Sequence, residues 1–393
     1  MRYRKLSTIK SLVNTINNSV VYEQGSIING DAIVNFHAYT LTKSRIVFEL
    51  YSSINKQPLS QIVKRTHTLK KTDFMIGINT NAFFMAEEGT RPTSWSFNLD
   101  IKHGVPLQLP TNKRPTLITR NGKIKLDYLR GNGSLKIGNN TIDWRGSHSD
   151  IGVNTIVYGN FDIPQKRKIR SGRTIITSDY NDAWIAPKEN ELLVGLSLKN
   201  EEVAVSQISS ERLNLFDFLF IMSCPKNITS KINITDLVHS AKVGGFEFTK
   251  DHSAQSLIAE LPKNKNNILG VFKNYLINNK LTSEFIEKYK KAWSLVIEKQ
   301  NEIILLVIDA RPQVKGQEGL NAYELHDFIS NNFNFEKAFI TDAGQSSRIV
   351  YSGENEFLVH GNMHYLDYKQ KPPVWSGEKG RFVPGALLAY NRI

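Results

Sequence analysis

Hydrophobic and polar residues alternate along much of the chain, as they do in strands with one buried face. The alternation is clear in residues 30–50, which we interpret as a pair of strands. Between residues 95 and 220, short alternating segments are separated by turn signals such as Asn121-Gly122 and Asn132-Gly133. The pattern therefore predicts a β-rich middle, at about residues 110–250, which resembles an insert within one large domain.

The last third of the chain carries a different pattern. Residues 303–308 form a continuous apolar run, which is typical of a strand buried on both faces. Apolar residues at near-helical spacing follow in 320–332, and 338–340 form another short apolar strand. Strand–helix–strand crossovers usually join parallel strands, whose carboxyl ends form a ligand-binding crevice. We therefore expect an α+β or mixed α/β fold, rich in β-structure, with large mixed sheets and a C-terminal strand–helix–strand unit that carries the site.

Composition and charge restrict the class of protein. Of the 393 residues, 40% are hydrophobic, which is enough for a sizeable core and excludes a disordered chain. The 50 Lys and Arg residues exceed the 37 Asp and Glu residues, which gives a net charge of +13. Such an excess indicates a polyanionic partner or an ordinary lysine-rich surface. The basic residues are dispersed, with their densest cluster at 166–170, and this favours the second interpretation.

Two further features concern location and redox state. No apolar run approaches the roughly 18–20 residues of a membrane span, so we expect no integral membrane segment. The basic first residues are not followed by the apolar region of a secretion signal, which favours a cytoplasmic or phage-associated protein. The single cysteine, Cys224, excludes a disulfide framework and a cysteine-based zinc site, and we expect it to be buried.

The segment that follows the second C-terminal strand is the first candidate for chemistry. Asp342 ends the strand, and Gly344 then allows close approach of a ligand to the backbone. Ser346 and Ser347 offer hydroxyl and backbone donors to phosphate or sugar oxygens. An ordinary Asx turn has the same residue types, so this segment alone leaves both interpretations open.

A second candidate lies early in the chain, where Asn79-Thr80-Asn81 interrupts an apolar run at residues 74–84. An amide buried without partners costs about 1–3 kcal/mol, so these residues need either a hydrogen-bonded network or a ligand. A hydrogen-bonded strand end and a binding site are both consistent with the pattern.

Five segments of the chain stand out as a set because of their order and spacing. They are Asn81-Ala82-Phe83-Phe84, Asp309-Ala310-Arg311, the stretch 319–325, the stretch 341–347 and the stretch 381–387. Together they resemble the phosphodiester glycosidase family, which includes the lysosomal uncovering enzyme, an N-acetylglucosamine-1-phosphodiester alpha-N-acetylglucosaminidase. The resemblance covers roughly residues 30–393 and leaves 1–29 as an N-terminal extension.

The resemblance implies a hydrolase that cleaves the glycosidic bond between the anomeric carbon of a sugar and a phosphodiester. Asp342 is the first choice for the catalytic carboxylate, and Asp309 and Glu324 are candidates for a base, a metal ligand or a supporting group. Glu324 also lies in the first turn of a predicted helix, where acidic residues interact favourably with the helix dipole. Arg311 suits a phosphate, and it equally suits an ion pair with Asp309.

The implied partner is a phosphorylated sugar or glycan. The resemblance implies no certain cofactor; Ca²⁺ or Mg²⁺ bound by these carboxylates is an alternative that their spacing does not indicate. His360, His364 and Asp367 have a spacing that is common by chance, so we predict no metal site there. The predicted substrate-binding residues are Asn81, Phe84, Arg311, Gly344, Ser346, Ser347 and Gly245.

The chain departs from the family pattern at several positions. Ala310, Ala343 and Gln345 stand where the family has glycine. A family arginine before the Asp-Gly-Arg strand is also missing, unless Lys290 or Lys291 takes its place with charge but without bidentate geometry. An alternative is therefore a catalytically degenerate relative that binds a phosphorylated glycan or nucleic acid through its basic surface.

Overall fold

The computed structural model describes a chain made mostly of β-strands joined by short turns. The α-helices whose bounds lie in the described residues are α1 (Leu59–Lys70), α2 (Lys226–Thr229), α3 (Ile268–Lys273) and α4 (Ala322–Asn332), and short 3₁₀ helices occur at Leu215–Asp217 and Lys265–Asn267. None of these helices is long and apolar enough to cross a membrane. The described residues are 6–80, 99–111, 113–146, 154–159, 165–170, 173–178, 183–273, 286, 290–311, 315–344, 346–361, 365–367, 374–376 and 382–391.

The strands are numbered along the chain. The first half contains β1 (Ser7–Asn17), β2 (Val20–Asn29), β3 (Ala32–Thr42), β4 (Ile46–Pro58), β5 (Phe74–Thr80), β6 (Asp100–Lys102), β7 (Val105–Gln108), β8 (Arg114–Arg120), β9 (Lys123–Leu129), β10 (Asn132–Ile137), β11 (Asn140–Gly146), β12 (Thr155–Tyr158), β13 (Gln165–Arg170), β14 (Arg173–Ser178), β15 (Trp184–Ile185) and β16 (Glu191–Lys199). The second half contains β17 (Glu202–Ser209), β18 (Leu213–Asn214), β19 (Phe220–Pro225), β20 (Val238–Val243), β21 (Phe246–Phe248), β22 (His252–Ser256), β23 (Ala259–Glu260), β24 (Trp293–Glu298), β25 (Glu302–Ile308), β26 (Lys337–Ala343), β27 (Arg348–Gly353), β28 (Phe357–Gly361), β29 (Tyr365–Asp367), β30 (Val374–Ser376) and β31 (Phe382–Asn391).

A seven-stranded sheet forms one half of the framework that carries the candidate site. Its strand order is β1-β2-β3-β25-β24-β26-β23, and every neighbouring pair is antiparallel. Residues 7–29, which we expected to be an extension, form its first two strands. The predicted pair in residues 30–50 exists as β3 and β4, but these strands lie in different sheets and do not pair with each other.

The predicted fold class is wrong, because the described chain is mostly β and is built from antiparallel sheets. The strand–helix–strand elements do occur, as β25, α4 and β26. However, β24 lies between the two strands and pairs antiparallel with both, so they do not form a parallel pair. The apolar run in β25 reflects burial on both faces, which a covered antiparallel strand shares with a parallel one. Pairing partners are not encoded in that run.

The framework has four layers. A covering sheet, of strand order β28-β27-β5-β31-β4, packs on one face of the seven-stranded sheet. Its Ile76 and Ile78 share a core with Leu305 and Val307 of β25. Helices α3 and α4 cover the other face of the seven-stranded sheet, and α1 covers the outer face of the covering sheet. The apolar face of each sheet is thus removed from water, which is the main source of its stability.

The middle of the chain is β-rich, as the pattern predicts. It forms an eight-stranded sheet, of strand order β17-β16-β19-β12-β11-β10-β20-β21, and a linking sheet, of strand order β7-β6-β22-β8-β9. These two sheets share a core of their own, which contains the buried Trp144 and Cys224. The one parallel pair among the described strands, β11 and β12, lies here.

Candidate functional site

The candidate site lies at one end of the space between the seven-stranded sheet and the covering sheet. Asp342 is next to the last residue of β26, and its side chain is almost buried, with the residue 6% exposed. Asn79 of β5 donates a hydrogen bond from Nδ2 to Asp342 Oδ2 at 2.6 Å. The backbone N–H of Ala343 donates to Asp342 Oδ1 at 2.7 Å. Two segments that are 263 residues apart in sequence therefore meet through one carboxylate.

The amide of Asn79 is held in one orientation. Its Oδ1 accepts hydrogen bonds from the Ser294 hydroxyl at 2.9 Å and from the Arg348 backbone N–H at 3.0 Å. Since both donors point to Oδ1, Nδ2 is directed at Asp342. Asn79 and Ser294 are fully buried, so each of these bonds satisfies a group that water cannot reach. The sequence signalled Asn79 as an amide in an apolar run, but we assigned the site role to Asn81. Asn81 and Phe84 lie outside the described residues.

Asp309 lies at the same edge of the seven-stranded sheet as Asp342. It follows β25, which runs in the same direction as β26 because both strands are antiparallel to β24. Two strand spacings separate the two strands, or about 10 Å across the sheet. The backbone N–H of Ala310 donates to Asp309 Oδ1 at 2.8 Å. The structure thus brings the two carboxylates to one edge, as the sequence predicts, although through an antiparallel sheet.

Arg311 pairs with Asp309 at the rim of the site. The distance from Arg311 Nε to Asp309 Oδ2 is 3.6 Å, and the Arg311 side chain is 49% exposed. The sequence left two roles open for Arg311, a phosphate contact and an ion pair with Asp309. The structure contains the ion pair. The guanidinium is exposed enough to reach a ligand as well, so its predicted phosphate contact stays a prediction.

The turn after β26 contains the predicted Gly344, Ser346 and Ser347. Gly344 has a φ of +92°, which favours glycine, and no atom of the described residues lies within 4 Å of the place that a Cβ would take. Its N–H donates to the Ala292 carbonyl at 2.8 Å, which fixes the turn against the start of β24. Ser346 and Ser347 are buried. Among the described residues, no hydrogen-bond partner is found for the Ser347 hydroxyl.

Lys291 is the charged residue that we had considered only as a replacement for a missing arginine. It directly precedes the Ala292 carbonyl that holds Gly344, and its Nζ lies 4.7 Å from the centre of the Trp293 ring. Burial lowers the pKa of Lys291 to about 7, and the negative charge of Asp342 acts in the opposite direction. Lys290, the other candidate, instead lies 3.4 Å from Glu324 Oε1.

Glu324 is used in capping α4. Its Oε2 accepts from the backbone N–H of Asn321 at 2.9 Å, and the Asn321 side chain accepts from the backbone N–H of Glu324, which completes a capping box. Its Oε1 accepts from Asn29 Nδ2 at 2.6 Å and also faces Lys290. These contacts favour a structural role, and the catalytic role stays a prediction without a supporting contact.

Gly245 lies away from this group, in the turn between β20 and β21 of the eight-stranded sheet. Its φ of +85° fits a tight hairpin turn, which is the structural interpretation of this glycine. No described contact links it with Asp342, so its predicted role in substrate binding has no support in the geometry.

His360 belongs to an aromatic cluster rather than to a metal site. Its ring stacks on His37 with 4.2 Å between centroids, and its Nε2 lies 3.1 Å from the Tyr39 hydroxyl. Burial lowers the pKa of His360 to about 4 and that of His37 to about 3, the latter with a contribution from His360. The described residues contain no group of three potential metal ligands. His364 and the side chain of Asp367 lie outside them.

A second buried carboxylate, Asp100 of β6, escaped the sequence analysis. Ser52 donates to Asp100 Oδ1 at 2.6 Å, Gln255 Nε2 donates to Ser52 Oγ at 2.6 Å, and Thr80 donates to Gln255 Oε1. This chain of hydrogen bonds, which we call the Asp100 chain, ends one residue from Asn79. Burial raises the pKa of Asp100 to about 7, against the effect of hydrogen bonds from Ser52 and Gln255.

Comparisons with known proteins give a fold but no family. No protein-family model and no curated protein matches the chain. A hypothetical protein from Synechocystis is 13% identical, with a TM-score of 0.52 over 97% of this chain and 64% of its own length. A protein from Burkholderia pseudomallei described as exported is 12% identical, with a TM-score of 0.53 over 91% of this chain and 74% of its own length.

The catalytic domain of zebrafish N-acetylglucosamine-1-phosphodiester alpha-N-acetylglucosaminidase, auto-inhibited by its pro-peptide, shows a more distant similarity. It is 9% identical, with a TM-score of 0.38 over 99% of this chain and 89% of its own length. That score is too low to assign a shared fold, so the proposal below rests on the residues of the site. The chain shares its fold with the Synechocystis and Burkholderia proteins, and it spans less than two thirds of the first of these.

Proposed function

We propose that this protein is a hydrolase that cleaves the glycosidic bond between the anomeric carbon of a sugar and a phosphodiester. The observation that carries the proposal is the hydrogen bond from Asn79 to Asp342. It joins β5, which precedes the Asn81–Phe84 segment in sequence, to β26, which leads into the Gly344–Ser347 turn, so the strands next to the two most informative motifs meet at one carboxylate. Asp309 at the same edge and Lys291 beside Asp342 add a second acid and a base.

The chemistry of a sugar-1-phosphodiester fits this set of residues. The leaving group is a phosphate monoester, a stable anion that needs little protonation when the bond at the anomeric carbon breaks. The main requirements are a carboxylate that stabilises the oxocarbenium-like sugar, an oriented water molecule and cationic or N–H donors for the phosphate. A site with an immobile carboxylate and a separate cation meets these requirements without a strong general acid.

In this proposal Asp342 faces the anomeric carbon and stabilises its positive charge. Asn79 fixes the rotamer of that carboxylate and so reduces the reorganisation needed in the transition state. Asp309 activates water or supports the sugar, and the Gly344–Ser347 turn contacts the phosphate oxygens. Arg311 completes the phosphate contacts from the rim.

A second candidate function is a catalytically degenerate protein that binds a phosphorylated glycan or nucleic acid. The net charge of +13 and the lysine in place of the family arginine favour it. Binding of this kind would weaken steeply with salt, because it releases counterions from the polyanion. It would also leave the anion chemically unchanged, and product formation therefore separates the two candidates.

The test is the release of free sugar from a panel of nucleotide sugars and alkyl sugar-1-phosphodiesters, each with and without a chelator. We expect the wild-type protein to release sugar from at least one member, and Asp342→Asn to lower kcat by about 10³-fold or more while the protein stays folded. The matched control is Asp127→Asn, which alters a half-exposed carboxylate of β9 that pairs with Lys125. Turnover that is equal in wild type and Asp342→Asn would overturn the assignment of Asp342.

A further inference from the structure

The seven-stranded sheet has an exposed face next to the candidate site. The covering sheet reaches β3 at His37, whose ring stacks on His360 of β28 with 4.2 Å between centroids. Side chains alternate along a strand, so Asn35 and Ile33 are the next two residues of β3 on the same face as His37. Both are exposed. Beyond the stacked histidines, this face of the sheet is therefore open to solvent.

The strand pairing connects the open face with Asp309. The N–H of Asp309 donates to the Asn35 carbonyl at 2.9 Å, so the two residues are neighbours across the sheet. Asn35 pairs with Ser26 of β2, and Ser26 pairs with Ile9 of β1. Residues that pair directly across strands share a face. A row of side chains thus leads from the candidate site to the edge of the sheet, over three strand spacings or about 14 Å.

Three large apolar side chains are exposed on this face, and we call them the apolar strip. Ile9 is 56% exposed, Leu12 is 44% exposed and Ile33 is 51% exposed. In β1, β2 and β3 the rows of this face contain no Asp, Glu, Lys or Arg, although the chain has a net charge of +13. The face therefore suits an uncharged, apolar group. The three rows are Ser7–Ile28–Ile33, Ile9–Ser26–Asn35 and Leu12–Gln24–His37.

A polar pair lies between Asp309 and the outer part of the strip. Ser26 Oγ donates to Asn35 Oδ1 at 3.0 Å, so the row begins with hydroxyl and amide groups and becomes apolar at Ile9. A ligand that follows this row meets polar groups first and apolar groups afterwards. An amphiphilic molecule with its polar end at the candidate site has the same order.

The strip also adjoins Arg311, the predicted phosphate contact at the rim. The N–H of Arg311 donates to the Gln317 carbonyl at 2.6 Å. The N–H of Ile33 donates to the carbonyl of the preceding residue, Gly316, at 3.0 Å. One short segment thus fixes Arg311 and Ile33 relative to each other. A group that is joined to a phosphate at Arg311 can therefore extend over the apolar strip.

The size of the apolar strip favours a ligand over a second protein chain. Its three side chains expose on the order of 300 Å² together, which is the scale of a functional patch on one protein. A stable interface between two proteins buries roughly 800 Å² on each partner. A single hydrocarbon chain is narrow enough to lie along the strip from end to end.

We propose that the apolar strip binds the aglycone of the substrate, and that this aglycone is an alcohol with a long hydrocarbon chain. The inference rests on the proposed function, because it assigns the group on the far side of the phosphate. In this arrangement the phosphate lies at Arg311 and the Gly344–Ser347 turn. Its ester oxygen faces the Ser26–Asn35 pair, and the hydrocarbon chain extends to Ile9.

The first test is a series of alkyl sugar-1-phosphodiesters from methyl to dodecyl, each below its critical micelle concentration. A chain on an open face buries about half of its surface, and half of the value for complete burial corresponds to about a twofold gain per methylene. We therefore expect kcat/KM to rise about twofold with each methylene. The gain should end where the chain passes Ile9, about 14 Å from Asp309.

Decyl phosphate measures the same contact without turnover, and ethyl phosphate is its short reference. By titration calorimetry we expect decyl phosphate to bind the wild-type protein about 100-fold more tightly than ethyl phosphate. The double variant Ile9→Thr, Ile33→Thr should lower the affinity for decyl phosphate about tenfold and leave that for ethyl phosphate unchanged. Threonine is also β-branched, so both strands keep a residue that favours them.

Val13→Thr is the matched control. Val13 lies on β1 as Ile9 does and is 58% exposed, but its row passes through Glu23 to Ala38, on the face that the helices cover. This variant should bind decyl phosphate as the wild type does. Melting temperatures establish that each variant is folded.

Equal affinity of the wild type for decyl and ethyl phosphate overturns the inference, as does a folded double variant that binds decyl phosphate like the wild type. A dimer in sedimentation that the double variant abolishes, without any dependence on chain length, would replace the inference by contact with a second copy. Sugar release at a rate independent of chain length would end this inference and leave the proposed function standing. Binding that grows with chain length and needs Ile9 and Ile33, without release of sugar from any substrate, would keep the apolar strip as a binding surface and end the proposed function.

Discussion

Asp342 and Asp100 are equally buried, at 6% exposure each, but they lie in different surroundings. Asp342 lies at the end of a strand, where the amide of Asn79 donates to it, its charge acts on Lys291, and the turn at Gly344 follows directly. Asp100 lies where the linking sheet meets the covering sheet, where Ser52 of the Asp100 chain donates to it and the charge of Lys102 also acts on it.

The comparison teaches that burial alone does not identify a functional carboxylate. A lysine charge acts on each of them, Lys291 on Asp342 and Lys102 on Asp100. What separates the two is their place in the fold: Asp342 lies at a strand end beside a turn, and Asp100 lies among hydroxyl and amide groups that cross-link two sheets. A carboxylate of the first kind can act on a ligand, whereas one of the second kind fixes the position of its neighbours. The predictions that follow test this distinction at each site.

The largest effect on the free energy of unfolding is expected from Asn79→Asp. This substitution replaces the amide that donates to Asp342 by a second carboxylate. Two carboxylates at hydrogen-bond distance cannot both ionise, so one must keep a proton or the contact must break. We expect a loss of about 3–5 kcal/mol in the free energy of unfolding at pH 8, and a smaller loss at pH 5, where the pair shares a proton. Urea unfolding at the two pH values measures both quantities.

Asn79→Ala is the control for this substitution. It removes the hydrogen bonds that Asn79 makes with Asp342, Ser294 and the Arg348 N–H but introduces no charge. Its destabilisation should therefore depend much less on pH than that of Asn79→Asp. An equal loss for Asn79→Asp at pH 5 and pH 8 would mean that Asn79 and Asp342 are not in contact.

Asp100→Asn is expected to change the free energy of unfolding by a smaller amount and to increase it. The pKa of Asp100 is raised from 3.8 to about 7 in the folded protein, so the folded state holds the proton more tightly than the unfolded chain between these values. The stability of the wild type thus falls as the pH rises through this window. Asp100→Asn removes this loss and should gain on the order of 2 kcal/mol at pH 8 but nothing at pH 4.

The same unfolding experiment on Asp127→Asn provides the comparison for a half-exposed carboxylate that pairs with a lysine, and this variant should show no such gain in stability. Sugar release by Asp100→Asn should stay within a few fold of the wild type. A loss of activity comparable to that of Asp342→Asn would place Asp100 in the catalytic machinery and would break the distinction between the two aspartates.

The sequence predicted the elements of the fold better than their pairing. The apolar run in β25 reports that both faces are covered, and the structure confirms this with one core on each side. It contains no information on whether the neighbour is parallel. The insertion of β24 between β25 and β26 depends on long-range contacts, which local periodicity does not record.

For the candidate site, too, the sequence indicated individual residues but not the contacts between them. Asp342 and the amides near residue 80 stood out because polar groups in apolar runs require partners, but the partner of Asn79 lies 263 residues away. The sequence pointed to Lys290 and Lys291 only as replacements for a family arginine and could not choose between them, since the pKa of Lys291 depends on groups folded around it. Ser52 and Gln255 are unremarkable in sequence and gain their role only where the two sheets meet.

The smallest predicted effect separates a helix cap from a catalytic acid at Glu324. Glu324→Gln keeps a side-chain oxygen for the Asn321 N–H and can complete the capping box, so we expect a loss in the free energy of unfolding below about 1 kcal/mol. Glu324→Ala leaves Asn321 as the N-cap but removes the reciprocal bond of the capping box and the bond from Asn29, and it should cost about 1–2 kcal/mol. If Glu324 only caps the helix, sugar release by Glu324→Gln will equal that of the wild type. Because the glutamine cannot donate or accept a proton in catalysis, a fall of 10²-fold or more in kcat at unchanged melting temperature would instead return Glu324 to the catalytic set.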